Sequence, residues 1–175
     1  FQHTFLDYLL GQLHNRGFRR LVFLLGFLHD EVIRHIDEVV RRWMPDLEIE
    51  VSIEREPTAT GGALKLAERY CDDTFFLTNG DVFYDFDAHS LLGAHRKNGA
   101  LVTIAAREAA DTTRFGSVEV DAASRVIVFR EKEPTGGPGL ISAGVHVMEP
   151  GLLSYIPPGR PVSLEQEIFP ALLDA

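Results

Sequence analysis

The chain has 175 residues, 45% of them apolar and 25% charged, which predicts a soluble globular protein with one sizeable core. Seventeen basic against 26 acidic residues leave a net charge of −9, a field that repels polyanions and disfavours a nucleic-acid partner. The single cysteine, Cys71, rules out an internal disulfide and a cysteine-based zinc cluster, and no apolar run nears the roughly 18 residues of a membrane span.

Phe5, Leu6, Leu9, Leu10 and Leu13 recur at helical spacing and predict an amphipathic helix ending near Gly17. "RRLVFLLG" reads as a buried strand from Leu21 to Leu25. Val32, Ile33, Ile36, Val39, Val40 and Trp43 line a second helix stopped by Pro45, and "LEIEVSI" alternates as a strand. A third helix is expected from about Gly61 to Tyr70, then Cys71 as a buried small residue, then the strand "DTFFLTNGD". Asp87 caps a fourth helix through Lys97, followed by the strand "ALVTIAA".

After Arg107 the rhythm changes. "FGSVEVD" and "RVIVFREKE" form a hairpin-like pair, "TGGPG" a loop, "LISAGVHVME" a strand and "GLLSYI" a short helix. Ser163 with Gln166 suggests a capping box at the start of a last helix to Leu173. The expected architecture is a single Rossmann-like α/β domain. A mostly parallel sheet is flanked by helices, with an antiparallel elaboration in the second half.

Ligands of open α/β sheets gather at the carboxyl ends of strands, where Asp81 falls after Phe75, Phe76 and Leu77. Such a carboxylate suits a hard cation such as Mg²⁺, although an aspartate in an Asx-turn reads the same way. Asp85 is a weaker candidate, and capping already explains Asp87. Thr60, Gly61 and Gly62 precede a predicted helix start, where backbone N–H groups and the freedom of glycine admit a ligand's acceptor groups; a plain tight turn is the alternative. Lys65 has the wrong spacing for a Walker A motif. Glu131 and Lys132 end a strand, suited to sugar hydroxyls and phosphate or simply to each other as a solvated ion pair. The seven histidines show no metal-ligand spacing, and His29 and His35 receive no role.

Taken together, "TATGGALKLAERY", "FFLTNGDVFYDFD", "RFGSVEVD", "VFREKEPTGGPGLISAGVHVMEP" and "GRPVSLEQEIFP" resemble the sugar-1-phosphate nucleotidyltransferases, in particular the heptose- and mannose-1-phosphate guanylyltransferases. The resemblance implies that Thr60, Gly61 and Gly62 pack against the nucleotide base, and that Asn79 and Gly80 line the nucleoside and sugar. It implies that Asp81 binds catalytic Mg²⁺, that Gly116 and Glu131 meet the sugar, and that Lys132 faces its phosphate. Ser142 stands where related sequences often carry Asn before Ala-Gly, which bears on sugar choice.

The implied substrates are a nucleoside triphosphate and a sugar 1-phosphate. The implied products are an NDP-sugar and pyrophosphate. The acidic charge points away from nucleic acid, and the lack of a long apolar run or signal-like start points to no membrane and a cytoplasmic location, with homo-oligomerisation left open. The family begins with a strand and a glycine-rich triphosphate loop and carries a second metal-binding aspartate beyond "SLEQEIFP". The chain therefore reads as a fragment of a longer domain, inactive by itself. A regulatory nucleotide-sugar-binding subunit and a glycosyltransferase remain the competing functions.

Overall fold

Thr4 opens the first helix, α1 (Phe5–Asn15), with a reciprocal cap. The Thr4 hydroxyl accepts from Asp7 N at 3.3 Å, and Thr4 N donates to Asp7 Oδ2 at 2.7 Å. In the computed structural model, which describes residues 3–132 and 136–173, Gly17 follows the helix end with φ +90°, a conformation glycine adopts without strain. Leu9, Leu10 and Leu13 turn inward.

Strand β1 (Arg20–Leu25) pairs in parallel with β2 (Glu48–Ile53). The crossover between them is one long helical run: α2 (His29–His35), a wider-turned stretch over Ile36–Val40, and α3 (Arg41–Trp43). Ile36, Val40 and Met44 from this run meet Leu10, Leu47 and Ile49 in a core of their own. That is the expected β-α-β unit.

The second sheet contains β3 (Phe75–Thr78), β4 (Val102–Ala109), β5 (Gly116–Val120), β6 (Val126–Glu131) and β7 (Gly139–Met148). Its axis is β7. Strand β4 runs antiparallel along one edge of β7, while β3 and β5 share the other, and β6 closes the sheet beyond β5. Ile141, Val145, Val147 and Met148 are essentially inaccessible. Helix α4 (Ala59–Leu66) and the C-terminal segment cover the sheet through Leu64, Leu152, Val162, Leu164, Ile168 and Phe169. Helix α5 (Ala88–Asn98) packs on β4.

The α/β class holds, with one difference of emphasis. Among the described residues, parallel pairing is confined to β1 and β2, and the antiparallel part carries five strands, because β7 returns between β3 and β4. The third helix starts at Ala59, not Gly61, and gives way to a 3₁₀ turn over Glu68–Tyr70. Ser163 does cap the last helical run, accepting from Gln166 N at 3.1 Å. In the reciprocal bond Ser163 N donates to Glu167 Oε1 at 3.2 Å rather than to Gln166, since the first turn over Leu164–Ile168 is π-wide and shifts the reach by one residue. It leads directly into α6 (Phe169–Leu173).

Cys71 is half-buried rather than buried, and burial pushes its thiol pKa up. Thr135 of the predicted loop, and the chain ends at Phe1 and Ala175, lie outside the described residues. No helix among the described residues is long and apolar enough to cross a membrane.

Candidate functional site

A cleft of about 510 Å³ opens at the carboxyl end of β3. Thr60, Asn79, Asp81, Gly116, Glu131, Lys132 and Ser142, all singled out from sequence, border it together. Gly61, Gly62 and Gly80 do not line it.

The turn after β3 supplies the first wall. Asn79 N donates to Gly144 O at 3.0 Å, which ties the turn to β7. Asp81 is exposed, and among the described residues no hydrogen bond or ion pair engages its carboxylate. Its neighbours are already committed: Arg16 holds Asp85, and Asp87 caps α5 by accepting from His89 N at 3.0 Å and Ser90 N at 3.1 Å. No group of three metal-ligating side chains exists among the described residues. A divalent ion here would have Asp81 as its protein carboxylate and would need oxygens from a ligand and water to complete its shell.

The Thr60–Gly61–Gly62 turn is shaped by packing. Because α4 starts at Ala59, whose φ is +58°, all three residues lie inside its first turn. Gly61 N and Gly62 N both donate to Val162 O, at 2.8 and 3.1 Å, so these N–H groups are occupied, unlike the open donors expected from sequence. A Cβ on Gly61 would stand 2.9 Å from Val162 O, which accounts for glycine there. The Thr60 hydroxyl donates to Glu165 Oε2 at 2.6 Å and accepts from Leu164 N at 2.9 Å, pinning the C-terminal segment to the rim of the cleft.

The β5–β6 hairpin supplies the opposite wall, where Gly116 faces Glu131 across the ladder. Lys132 follows with φ +45°, an unfavourable backbone for a lysine. Its Nζ lies 3.4 Å from Glu131 Oε1, and its side chain is 66% exposed. The two therefore form an ion pair that a ligand can divide.

Strand β7 forms the floor through Ser142, Gly144 and His146. His146 is 3% exposed, and burial drives its pKa down to about 4 against smaller opposing effects of the Glu165 charge and the Leu77 backbone. The ring is neutral. Sequence reasoning passed over His146, and also Arg107, Arg114, Phe115 and Glu165, all of which border the cleft. The histidine had one legible mark, a polar residue at an inward position among Val145, Val147 and Met148. Arg114 and Phe115 stand beside Gly116 in "RFGSVEVD", so chain proximity marked them, whereas only the tertiary fold brings Arg107 here. Arg107 lies over the Phe115 ring at 5.2 Å. Arg107, Arg114 and Lys132 balance Asp81, Glu131 and Glu165, so the cleft lining is electrically even on a chain of net charge −9.

The sequence model of the nucleotidyl transferase family matches residues 1–175. A mannose-1-phosphate guanylyltransferase of Mycobacterium tuberculosis is 41% identical over 73% of this chain and 36% of its own length. A mannose-1-phosphate guanyltransferase of Aspergillus oryzae is 32% identical over 89% of this chain and 43% of its own length. A D-glycero-alpha-D-manno-heptose 1-phosphate guanylyltransferase of Campylobacter jejuni is 28% identical over 82% of this chain. The chain thus spans less than half the length of the two mannose-1-phosphate relatives. HddC from Yersinia pseudotuberculosis superposes with a TM-score of 0.80 at 25% identity, covering 93% of this chain and 70% of HddC. HddC complexed with GMP-PN gives 0.81 at 26% identity, covering 95% and 71%.

Proposed function

This chain belongs to the nucleotidyl transferase family, and on that premise we propose that the protein containing it transfers a guanylyl group from GTP to a sugar 1-phosphate. The relatives are named for mannose or manno-heptose 1-phosphate, and we adopt a manno-configured sugar 1-phosphate as the substrate class. The observation that carries the reading is the one cleft in which Asp81, Glu131 and Lys132 meet on an electrically even lining.

In the reaction an oxygen of the sugar phosphate attacks the α-phosphorus of the triphosphate. The new P–O bond forms as the bond to the bridging oxygen breaks, and pyrophosphate leaves with that electron pair. The phosphate monoester is already an anion at neutral pH, so no protein base has to remove a proton. What the side chains contribute is position and charge. Lys132 leaves Glu131 to meet the sugar phosphate, and Glu131 then accepts from sugar hydroxyls. Gly116 lets the sugar approach the β5 backbone. Asn79 borders the nucleoside and sugar, with Gly80 behind it in the turn that carries Asp81. Thr60, Gly61 and Gly62 support the base side, the glycines by fixing the turn and Thr60 by holding Glu165. Asp81 would hold Mg²⁺, which when bound shields phosphate charge. The open carboxylate of Asp81, without a competing partner among the described residues, supports that role. Phosphorylated substrates, which do not cross membranes unaided, support a cytoplasmic location.

A glycosyltransferase using paired aspartates is disfavoured, because Asp85 is taken by Arg16. The test is equilibrium binding of GDP-mannose to the full-length protein. We expect binding to weaken on chelation of divalent ions and in Asp81→Asn. Binding indifferent to both changes would remove Asp81 from the site.

A further inference from the structure

Ser142 and His146 are four residues apart on one strand, yet Ser142 Oγ and His146 Nε2 lie 3.4 Å from each other. In a regular strand that separation is about 13 Å along the chain. The contact exists because β7 carries a bulge. Ala106 pairs with Ser142 and Ile104 with His146, so β4 spends two residues where β7 spends four. Gly144 turns the bulge with φ +71°, and a Cβ there would press on Asn79 Nδ2 at 3.2 Å. Its N–H donates to Ser142 Oγ at 3.3 Å. The bulge therefore builds a polar pair into an otherwise apolar strand, at the floor of the cleft.

The hydrogen inventory of this pair is open. A neutral imidazole carries one N–H, and its position is normally set by the partner of the other nitrogen. His146 Nδ1 is buried without a hydrogen-bond partner, and the Leu77 backbone beside the ring exerts only a weak pull on its proton. With the proton on Nε2, the ring donates to Ser142 Oγ, which also receives Gly144 N–H, and the serine hydrogen is left to donate into the cleft. With the proton on Nδ1, the serine hydroxyl donates to Nε2 and keeps a lone pair for a ligand. One side chain can thus present a donor or an acceptor, as the ring tautomer dictates.

We infer that the β7 bulge makes Ser142 and His146 a hydroxyl-reading subsite for the sugar, with Ser142 in contact and His146 as the positioning residue that sets the serine's hydrogen-bond polarity. This rests on the sugar 1-phosphate reading of the cleft and says how that site reads its sugar. An asparagine at position 142 would offer fixed donors and acceptors. The serine–histidine pair adapts, so the site accepts either hydrogen-bond sense from the hydroxyl it faces.

The experiment is ¹⁵N-histidine NMR of the full-length protein titrated with GDP-mannose and, separately, with GTP, which has no hexose. GDP-mannose should shift both ring nitrogens of His146, and GTP should leave them in place. Ser142→Ala and His146→Phe should each weaken GDP-mannose about fivefold while GTP binding holds, and the double variant should be no weaker than either alone. If both ligands bind and His146 does not respond, the subsite is wrong and the cleft reading stands. If neither ligand binds, the sugar-nucleotide reading itself falls, and the subsite with it. Should His146→Phe fail to fold, the wild-type spectra still decide.

Discussion

Gly116 stands directly across the ladder from Glu131, and a Cβ added to it would come within 2.9 Å of Glu131 Oε2 and 2.9 Å of Phe129 Cζ. The glycine therefore leaves room for the carboxylate that borders the cleft. Gly116→Ala must displace either Glu131 or the buried Phe129 ring. We expect a loss of about 1–3 kcal/mol in urea denaturation, as for other overpacked sites, together with a higher KM for the sugar phosphate. Unchanged stability and KM would show that the hairpin yields freely and that Glu131 is not held by this contact.

Lys132 combines a strained backbone with an exposed ammonium, and the two can be separated. Lys132→Ala in the full-length protein should raise KM for the sugar phosphate and lower kcat, costing about 1.5–3 kcal/mol in kcat/KM for one charge-assisted contact. Lys132→Gly should lose activity equally but be more stable than the alanine variant. Its φ of +45° suits glycine, and a left-handed non-glycine residue costs roughly 1–2 kcal/mol. Equal stability of the two variants would mean the backbone relaxes on substitution.

Asp7 is 1% exposed and binds His35 Nε2 at 2.6 Å. Burial works to raise its pKa, but hydrogen bonds from His35 and from the Thr4 backbone and hydroxyl outweigh it and hold the carboxyl below its ordinary value. A folded value below the unfolded one near 3.8 makes the stabilisation fully present above that pH. It is lost as acid carries the pH through the folded value. Asp7→Asn should cost about 1–3 kcal/mol at neutral pH and flatten the acid limb of stability against pH. An equally steep limb in the variant would contradict this.

His146 acts in a different window. Its folded pKa of about 4 lies below the unfolded 6.5, so the unfolded chain binds the extra proton. Stability should be complete above 6.5 and fall as pH drops toward 4, by on the order of 3 kcal/mol. Replacing the ring with phenylalanine should abolish that part of the slope. A slope that persists would mean that His146 is charged in the folded protein.

Much of this was legible in local pattern. Apolar residues at helical spacing marked α1 and the run through Trp43, alternation marked β2, and Asp87 announced the cap of α5. What escaped was non-local or conformational. Nothing in "TATGG" reveals that Ala59 adopts a positive φ and starts the helix two residues early, or that Val162 occupies the donors of Gly61 and Gly62. Strand periodicity cannot say that β7 pairs with three others, nor that it bulges at Gly144. Ser142 was visible only through the resemblance, as the residue before Ala-Gly, and the bulge that brings His146 to it leaves no local mark in the sequence. Arg107 reaches the cleft only through the fold.

The most direct measurement is ³¹P NMR of full-length protein incubated with GTP, mannose 1-phosphate and Mg²⁺, alongside Asp81→Asn. The account predicts equal growth of pyrophosphate and GDP-mannose signals in the wild type and their near-absence in the variant. If GDP-mannose binds but neither product appears, the cleft serves a regulatory nucleotide-sugar-binding subunit, and the transfer reaction assigned to it is wrong.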